Sequence, residues 1–494
     1  MAETLSPTLA RALDRLCELD PNESVSIAAA SPPAFHAPAE SHVGAPGSAM
    51  RLAAQIRSGA VSPIEAVESS LERIEAHPGL NAFVTVAAAM ARKFARETAP
   101  HLIGVHPLAG VPVAHKDIFS TRGIRTTGGS RSRLGMDSAV DSKVVAALRT
   151  HGMPLVGKTN THELATGVTG EVSAAGRVAN PWAAERMAGG SSSGSAAAVA
   201  AGLVPLATAT DTGGSARIPA ACCGVVGFKP TNGTLSTRGV VPFSWTLDHV
   251  GFIARSTADV VLAMAAAGGW SLRSTSPVED GLSGLRFAIP AALLADATAE
   301  VSGQIVAVGA ALEALGARRV EPPWPDVFSY ADGIAAAIFL REGGAVHAAT
   351  LAEAPNSLEA PTYELLSTSR QISNDTYRRA LAARRAAISA ADRYFAQTDL
   401  LLTPTIPSVA PPGNARNVQL PCGAVDVRAA LTRFTRLWNV CGNPSVSVPC
   451  GLEGGLPVGA QLISSRGRDG LLLAASSAYE AHRGRFPLPP DFID

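Results

Sequence analysis

The sequence predicts an α/β fold in which helices cover both faces of a β-sheet, and two observations support this. Short apolar runs alternate with helical segments: 110–119 (GVPVAHKDIF) contains a strand, 141–152 (DSKVVAALRTHG) a helix and 153–160 (MPLVGKTN) another strand. Of the 494 residues, 47% are hydrophobic and only 17% are charged. An average soluble domain has about 25% charged residues, so much of this chain must be buried.

Local signals place the elements along the chain. The first clear helix begins after Ser62, which caps it, with Pro63 in the first turn and Glu65 completing a capping box. The run Ser195–Gly202 predicts a helix of small residues, followed by a buried strand in 203–211. The later patterns predict a strand in 284–290, helices over Glu300–Gly316 and Asp375–Gln397, a strand in 399–407, a loop at about 406–424, strands in 444–451 and 457–464 joined by a turn at Glu453–Leu456, and a helix over Asp469–His482.

The chain is interpreted as an extension followed by one domain. Residues 1–46 are predicted to be an N-terminal extension, partly irregular or helical, with a short helix near Thr8–Leu19. No linker rich in Pro, Gly or Ser and marked by a change of charge divides the rest, so 47–494 is predicted to be a single domain with a variable insertion at about 270–425.

Charge and motif content exclude several classes of function. Lys plus Arg and Asp plus Glu number 41 each, without a run of five or six like charges, so we expect no nucleic-acid partner. The longest uncharged stretch, Met187–Thr210, is rich in Gly and Ser and contains Pro205, which indicates buried structure and not a membrane span.

Metals and cofactors are not expected either. The sequence has no CxxC pair, and His162-Glu163 is not followed by a second His four residues after the first. No glycine-rich phosphate-binding motif follows a strand. Six cysteines without the spacing of a secreted framework, and no apolar run behind a basic start, lead us to expect a cytoplasmic protein.

Lysine is rare in this chain. It stands at positions 93, 116, 143, 158 and 229 only, and all other basic residues counted with it are Arg. Lys116 lies between the apolar pairs Val113-Ala114 and Ile118-Phe119. Such surroundings lower the pKa of an amine and favour a neutral base at pH 7, which an Arg could not provide.

One serine pattern suggests a hydrolase elbow. Gly190–Gly194 matches G-x-S-x-G, which would make Ser192 the nucleophile, with His249, His347 or His482 as the base by chain order alone. However, a run of three serines between glycines matches this pattern easily, and the preceding residues do not resemble a strand.

A richer arrangement combines three pieces: AHKDIF with Lys116, MAGGSSSGSAAAVAAG with Ser191, and ATDTGGSARIPAACCG with Ser215. The second and third pieces are rich in Gly and Ser and carry few charges. Gly213 and Gly214 allow the backbone to turn so that its N–H groups converge, as an oxyanion site requires.

At these residues the chain closely resembles the amidase signature family. The resemblance runs from about Ala49 to Ala481 and is densest over the core motif 189–231. It also covers PLAGVPVAHKD, VGKTNTHELATG, ANPWAAERMAGGSSSGS, LDHVGFIARS, NPSVSVPCG and LPVGAQLI. The resemblance implies a mixed β-sheet core sandwiched between α-helices.

The resemblance also implies roles for individual residues. Ser215 would be the nucleophile, Ser191 the serine after a cis peptide bond that relays a proton, and Lys116 the base. The implied oxyanion-hole donors are Thr212, Gly213, Gly214 and Ser215, and the implied supporting residues are Ser192, Asp211 and Arg217.

Two positions depart from the family pattern. Ser193 stands where Gly is usual, and Ala216 replaces a bulky aliphatic residue after the nucleophile. Because neither belongs to the triad, we expect Ser193 to constrain the loop and Ala216 to enlarge the pocket, with an effect on substrate preference.

The predicted function is that of an amidase acting without metal or cofactor through an acyl-enzyme on Ser215. Phe243, Trp245, Phe339 and Trp438 are the candidate substrate-binding residues, which would favour a small apolar or aryl amide, with carbamates and esters as further candidates. A homodimer is considered, with no nucleic-acid or membrane partner. The alternatives are the glutaminase subunit of a tRNA-dependent amidotransferase, a non-catalytic binding protein on the same fold, and the Ser192 elbow hydrolase.

Overall fold

The computed structural model describes residues 11–15, 47–97, 99–133, 138–268 and 281–492. Eleven strands of the described chain form one sheet in the order β1-β3-β2-β6-β8-β7-β14-β15-β11-β9-β10. Two short hairpins, β4-β5 and β12-β13, lie outside it. The strands are β1 (Phe83–Val86), β2 (Val113–Lys116), β3 (Leu155–Thr159), β4 (Ala179–Asn180), β5 (Ala183–Met187), β6 (Leu206–Asp211), β7 (Val226–Lys229), β8 (His249–Ala254), β9 (Arg286–Ala288), β10 (Arg318–Arg319), β11 (Leu400–Pro404), β12 (Asn417–Leu420), β13 (Gly423–Asp426), β14 (Ser445–Glu453) and β15 (Leu456–Ser464).

Helices precede, follow and connect these strands. They are α1 (11–15), α2 (Ala49–Arg57), α3 (Pro63–Ala76), α4 (Ala88–Glu97), α5 (Lys143–Thr150), α6 (Ser193–Ala200), α7 (Arg217–Cys223), α8 (Thr257–Ala266), α9 (Ala291–Ala295), α10 (Ala299–Ala314), α11 (Ala331–Val346), α12 (Ala348–Glu353), α13 (Ala360–Ser367), α14 (Asn374–Phe395), α15 (Val427–Thr432), α16 (Arg436–Cys441) and α17 (Asp469–Arg483). Among the described residues, no helix is long and apolar enough to span a membrane.

The sheet is mixed, as the family resemblance predicts. Strand β2 pairs in parallel with β3 and β6, and β9 pairs in parallel with β10 and β11. Antiparallel pairing joins β6, β8, β7, β14, β15 and β11 across the middle of the sheet. The prediction of an α/β fold with a mixed sheet is therefore confirmed.

Helices cover both faces of the sheet. Consecutive residues of a strand point to opposite faces, so neighbouring strand residues pack against different helices. Leu206 packs into a cluster with α8, α10 and α17, whereas the adjacent Ala207 packs with α6 and α7. The neighbouring residues Leu400 and Leu401 of β11 also pack on opposite faces. Leu400 packs with α10 and α17, and Leu401 packs with α11 and α14.

The local signals place most elements correctly. Ser62 Oγ accepts from the N–H of Glu65 while the Glu65 carboxylate accepts from the N–H of Ser62, so α3 begins with the predicted capping box. The turn before β15 also forms as predicted, with Glu453 paired to Leu456.

The predicted loop at 406–424 is wrong in part, because it contains β12 and the start of β13. Val418 and Leu420 are buried while Asn417 and Gln419 are exposed. This two-residue alternation is typical of a strand, but four residues among Pro and Gly are too few to stand out in the sequence.

The parallel pairing of β2 and β6 determines where the candidate site lies. Parallel strands end at the same edge of a sheet, so Lys116 at the end of β2 and Asp211 at the end of β6 are brought together. The loop that contains Ser191 leads into α6, and the loop that contains Ser215 leads into α7.

Candidate active site

Lys116 is a fully buried amine surrounded by hydroxyl groups. Its Nζ donates to Ser191 Oγ at 2.7 Å and to Thr210 Oγ1 at 2.8 Å, and its backbone N–H donates to Thr208 Oγ1. Burial lowers the pKa of Lys116 to about 7, although the negative charges of Asp211 and Asp248 oppose the shift. A substantial fraction of neutral amine is therefore present at pH 7.

The Ser191 loop brings its hydroxyl group to that amine. The Gly190–Ser191 peptide bond is cis. The carbonyl oxygen of Ser191 accepts from the N–H of His162 at 3.1 Å and from Thr161 Oγ1 at 2.9 Å. Gly189 has φ +75°, and a Cβ there would lie 2.7 Å from Pro219 Cα, so only glycine fits where this loop approaches α7.

Ser215 lies against a cavity of about 550 Å³, which Thr212 and Gly213 also line. The backbone of Ser215 is held against the Ser191 loop, because the N–H of Ser192 donates to the carbonyl oxygen of Ser215 at 3.1 Å. Gly214 has φ +129°, and a Cβ there would lie 2.4 Å from Thr435 Oγ1. Among the hydrogen bonds of the described residues, none joins the hydroxyl groups of Ser191 and Ser215.

Asp211 and Arg217 form a buried ion pair that holds the Ser215 turn. Arg217 donates to the Asp211 carboxylate through Nε at 2.9 Å and a terminal nitrogen at 2.8 Å. The same carboxylate accepts from the N–H groups of Gly214 and Ala216. Burial alone would raise the pKa of Asp211, but Arg217, Lys229 and Asn439 hold it well below its usual range.

This pairing changes the expected set of oxyanion-hole donors. The N–H of Gly214 is already donated to Asp211 Oδ1 at 2.8 Å. The N–H groups of Thr212, Gly213 and Ser215 have no hydrogen-bond acceptor in the described part of the chain. These three groups are therefore the ones able to bind a developing oxyanion.

Asp248 fixes the turn from the other side. Thr212 Oγ1 donates to Asp248 Oδ1 at 2.6 Å, and the N–H groups of Phe243 and Ser244 donate to Asp248 Oδ2. Burial and the nearby Glu342 raise the pKa of Asp248 to about 6, against the effect of these hydrogen bonds. The sequence did not single out this residue, because an isolated Asp in a loop carries no pattern.

Ser192 has the contacts of a structural residue. It is fully buried, its Oγ donates to the carbonyl oxygen of Thr210 at 3.3 Å, and the N–H of Thr210 donates back to it at 3.4 Å. None of the hydrogen bonds found in the described chain joins it to a histidine. This arrangement argues against Ser192 as an elbow nucleophile.

The two positions that depart from the family pattern are buried, and neither lines the cavity. Ser193 begins α6, and its Cβ lies close enough to Gly170 to exclude a side chain there. Ala216 packs in the core with Ile218 and Ala220, so it does not enlarge the cavity as the sequence suggested.

Of the four candidate substrate-binding aromatics, Phe339 lines the cavity and the other three do not. Phe243 is buried against Phe339 and His347. Trp438 packs edge-on with other core aromatics, including Phe328 at 6.0 Å, and Trp245 is 60% exposed on the surface. Aromatic residues fill cores as well as sites, and the sequence alone does not distinguish the two uses.

Most of the cavity lining was not predicted as substrate-binding residues. The lining includes apolar side chains from several distant segments, among them Val168, Leu247, Leu340 and Leu365. Ala12 of α1 also lines it, so one residue of the predicted N-terminal extension lies at the site. Arg428 and Arg436 supply positive charge. These residues meet only through tertiary folding, so no local signal identifies them.

Comparison with known proteins decides the family. A model of the Amidase family matches residues 65–473. The chain belongs to the amidase family. The resemblance found in the sequence is thereby confirmed, and members of this family hydrolyse C–N bonds.

Other members of the amidase family are similar over nearly the whole chain. A glutamyl-tRNA(Gln) amidotransferase subunit of Symbiobacterium thermophilum is 37% identical over 478 residues, covering 88% of this chain and 96% of that protein. A chain from the structure of a vestigial protein complex, described as revealing the evolutionary origins of an s-triazine catabolic enzyme, has a TM-score of 0.82, with 30% identity over 89% of this chain and 99% of that chain. A bacterial aryl acylamidase structure has a TM-score of 0.77, with 27% identity over 89% of this chain and 96% of that chain.

Replacing Lys116 is expected to abolish most amide cleavage. Loss of a positioned general base costs about 10²- to 10⁴-fold in rate, so Lys116→Ala should lower kcat by that factor. Lys116→Arg should not restore it, because a guanidinium does not deprotonate at neutral pH. The measurement is steady-state ammonia or amine release, with Lys143→Ala as the control on an exposed helical residue. Near-normal kcat in Lys116→Ala would contradict the assignment of Lys116 as the base.

The pH dependence should report Lys116. Below its pKa of about 7 the amine is protonated and cannot accept a proton, so kcat/KM should rise tenfold per pH unit at acid pH and level off above about 7. Asp248→Asn separates this ionisation from that of Asp248. The negative charge of Asp248 raises the pKa of Lys116. Removing this charge should therefore shift the rising part of the pH profile to lower pH without abolishing it. If kcat/KM of that variant no longer rises with pH at acid pH, the ionisation belongs to Asp248.

Proposed function

We propose that this protein hydrolyses a carboxylic amide through an acyl-enzyme on Ser215, with Ser191 and Lys116 as the proton relay. The observation that carries the proposal is the 2.7 Å contact between a buried, low-pKa amine and Ser191, beside a loop that presents Ser215 to a cavity. In the proposal, bound substrate closes the remaining gap between the hydroxyl groups of Ser191 and Ser215, since catalytic hydrogen bonds often tighten only in the complex.

The first half of the reaction forms the acyl-enzyme. Neutral Lys116 accepts the proton of Ser191, Ser191 accepts that of Ser215, and Ser215 Oγ bonds to the carbonyl carbon. The carbonyl electron pair moves to oxygen, where the N–H groups of Thr212, Gly213 and Ser215 stabilise the charge. The C–N bond then breaks while the proton returns from Lys116 through Ser191 to the leaving nitrogen.

The second half restores the enzyme. A water molecule gives its proton to the same relay and attacks the ester carbonyl on Ser215. The ester C–O bond breaks, the carboxylic acid leaves, and Ser215 regains its proton from the relay. Every proton and electron pair in this balance is supplied by the substrate, the water molecule and the three side chains.

The apolar walls of the cavity support a small apolar or aryl amide as substrate, with carbamates and esters as further candidates. Val168, Leu247 and Phe339 offer such a surface, and the cavity volume lies in the usual range for small-molecule sites. The similarity to an aryl acylamidase structure supports the same substrate class. The described cysteines, which are all free thiols, are in keeping with a cytoplasmic enzyme.

A second candidate is the glutaminase component of an amidotransferase, which would release ammonia from glutamine in a complex with partner proteins. The high identity and coverage of the amidotransferase relative favour it more strongly than the aryl acylamidase similarity favours the first candidate. The chemistry at Ser215 is the same in both candidates, so they differ only in the substrate and in the need for a partner. The non-catalytic alternative is disfavoured by the contact between Lys116 and Ser191.

Covalent labelling tests the nucleophile. Phenylmethanesulfonyl fluoride should sulfonylate Ser215, releasing fluoride, and peptide mapping by mass spectrometry should find the adduct on that residue. Ser215→Ala should be unlabelled and inactive, whereas Ser236→Ala, on an exposed loop, should be labelled as the wild type is. An adduct on Ser192 would overturn the assignment.

A substrate panel separates the two candidate functions. The full chain is assayed alone with L-glutamine, 4-nitroacetanilide and 4-nitrophenyl acetate. Cleavage of the anilide at a kcat/KM above that for glutamine supports the aryl amidase, whereas preferential release of ammonia from glutamine supports the glutaminase. Turnover of none of these by the labelled protein would exclude both substrate classes for the isolated chain.

A further inference from the structure

Arg428 brings a positive charge to the cavity that Ser215 lines, and this charge has no ion-pair partner among the described residues. It lies in the first turn of α15 and lines the cavity together with Thr432. The preceding Asp426 carboxylate accepts from the backbone N–H groups of Arg428 and Ala429. In the described part of the chain, no residue accepts a hydrogen bond from the Arg428 guanidinium or forms an ion pair with it.

The acidic residues of the cavity do not neutralise this charge by contact. Asp332 pairs with Arg436, the other arginine of the lining, at 3.3 Å. Asp426 serves as the cap of α15, and Glu364 is exposed. Within the described part of the chain, the hydrogen-bond donors of the Arg428 guanidinium therefore remain available to a ligand.

The electrostatic surroundings agree with this geometry. Burial and the positive charge of Arg436 lower the pKa of Arg428 to about 10, which Asp426 opposes, so the guanidinium stays protonated at neutral pH. Burial and the Arg428 charge in turn lower the pKa of His162, whose backbone N–H donates to Ser191. The charge of Arg428 thus acts on His162, a residue of the segment after β3 whose backbone holds the loop that carries the proposed relay serine.

We propose that Arg428 binds a carboxylate of the substrate, so that the substrate is an amide that also carries a carboxylate on a hydrocarbon chain. The planar fork of a guanidinium matches a carboxylate with two parallel hydrogen bonds, and a partly desolvated cation gains most from such a partner. Val168, Leu247 and Leu340 provide apolar surface for the hydrocarbon part. This inference rests on the proposed amide hydrolysis and narrows its substrate class.

Two kinds of amide that carry a carboxylate can be distinguished. A free amino acid amide such as L-glutamine carries an ammonium group beside its carboxylate, whereas an ω-amide of a simple dicarboxylic acid does not. Glutaramate is the amide of the second kind with the same carbon chain, and pentanamide replaces its carboxylate by a methyl group. The three compounds form a matched set.

Binding to the full-length Ser215→Ala protein tests the inference without turnover. By calorimetry, at least one of glutaramate and L-glutamine should bind more tightly than pentanamide by about 10- to 100-fold, the range expected for a charged hydrogen-bonded pair. Arg428→Gln in the same background should remove this preference, and Arg428→Lys should keep part of it. Arg393→Gln, on the exposed end of α14, is the control for a change in net charge.

The outcomes separate this inference from the proposed function. Equal binding of all three compounds, binding of none, or an anion preference that persists in Arg428→Gln would overturn the inference. Anion preference in the binding assay, with no hydrolysis of any amide by the wild-type chain, would retain the anion subsite and reject the proposed function. Tight binding of glutaramate but not of L-glutamine would identify a simple ω-amide as the substrate class.

Discussion

The buried ion pair between Asp211 and Arg217 is the interaction on which the geometry of the candidate site depends. Both side chains are fully buried, and two charges inside a protein are tolerated only when their remaining hydrogen-bonding groups are satisfied. Here the carboxylate also accepts from the backbone of the Ser215 turn, and the guanidinium also donates to the carbonyl oxygen of Thr435 and to Gln461 Oε1. One pair therefore fixes the nucleophile loop and joins it to β15 and to the residue that precedes α16.

The three buried lysines show how partners decide what an amine can do. Lys158 lies 3.0 Å from the Asp117 carboxylate, an arrangement that stabilises its charge. Lys229 donates to the backbone carbonyl oxygens of Pro230 and Asn443. The partners of Lys116 are the hydroxyl groups of Ser191 and Thr210, which can accept from an amine or donate to it and carry no charge. Lys116 is thus the buried lysine whose contacts permit proton exchange with a catalytic hydroxyl.

The cavity combines two kinds of recognition. Its apolar walls come from segments before and after the core motif. Its positive charge comes from Arg436, which pairs with Asp332, and from Arg428, in the segment after the hairpin β12-β13. Buried polar contacts fix the catalytic loops, so most substitutions there would leave a buried polar group without its partner. The cavity walls come from the surrounding segments. This division accounts for the similarity of the chain to amidase-family proteins that act in different contexts.

The sequence by itself determined the α/β class, the family and the candidate catalytic residues. It could do so because Lys116, Ser191 and Ser215 lie in contiguous motifs whose glycines and small residues are required by local backbone geometry, as at Gly214. Only the tertiary structure decided which residues line the cavity. Phe243 and Trp438 proved to be core residues, and Ala12, Leu247 and Arg428 reached the cavity from segments far apart in the chain. Burial and pairing depend on packing between such segments, and no short stretch of sequence contains that information.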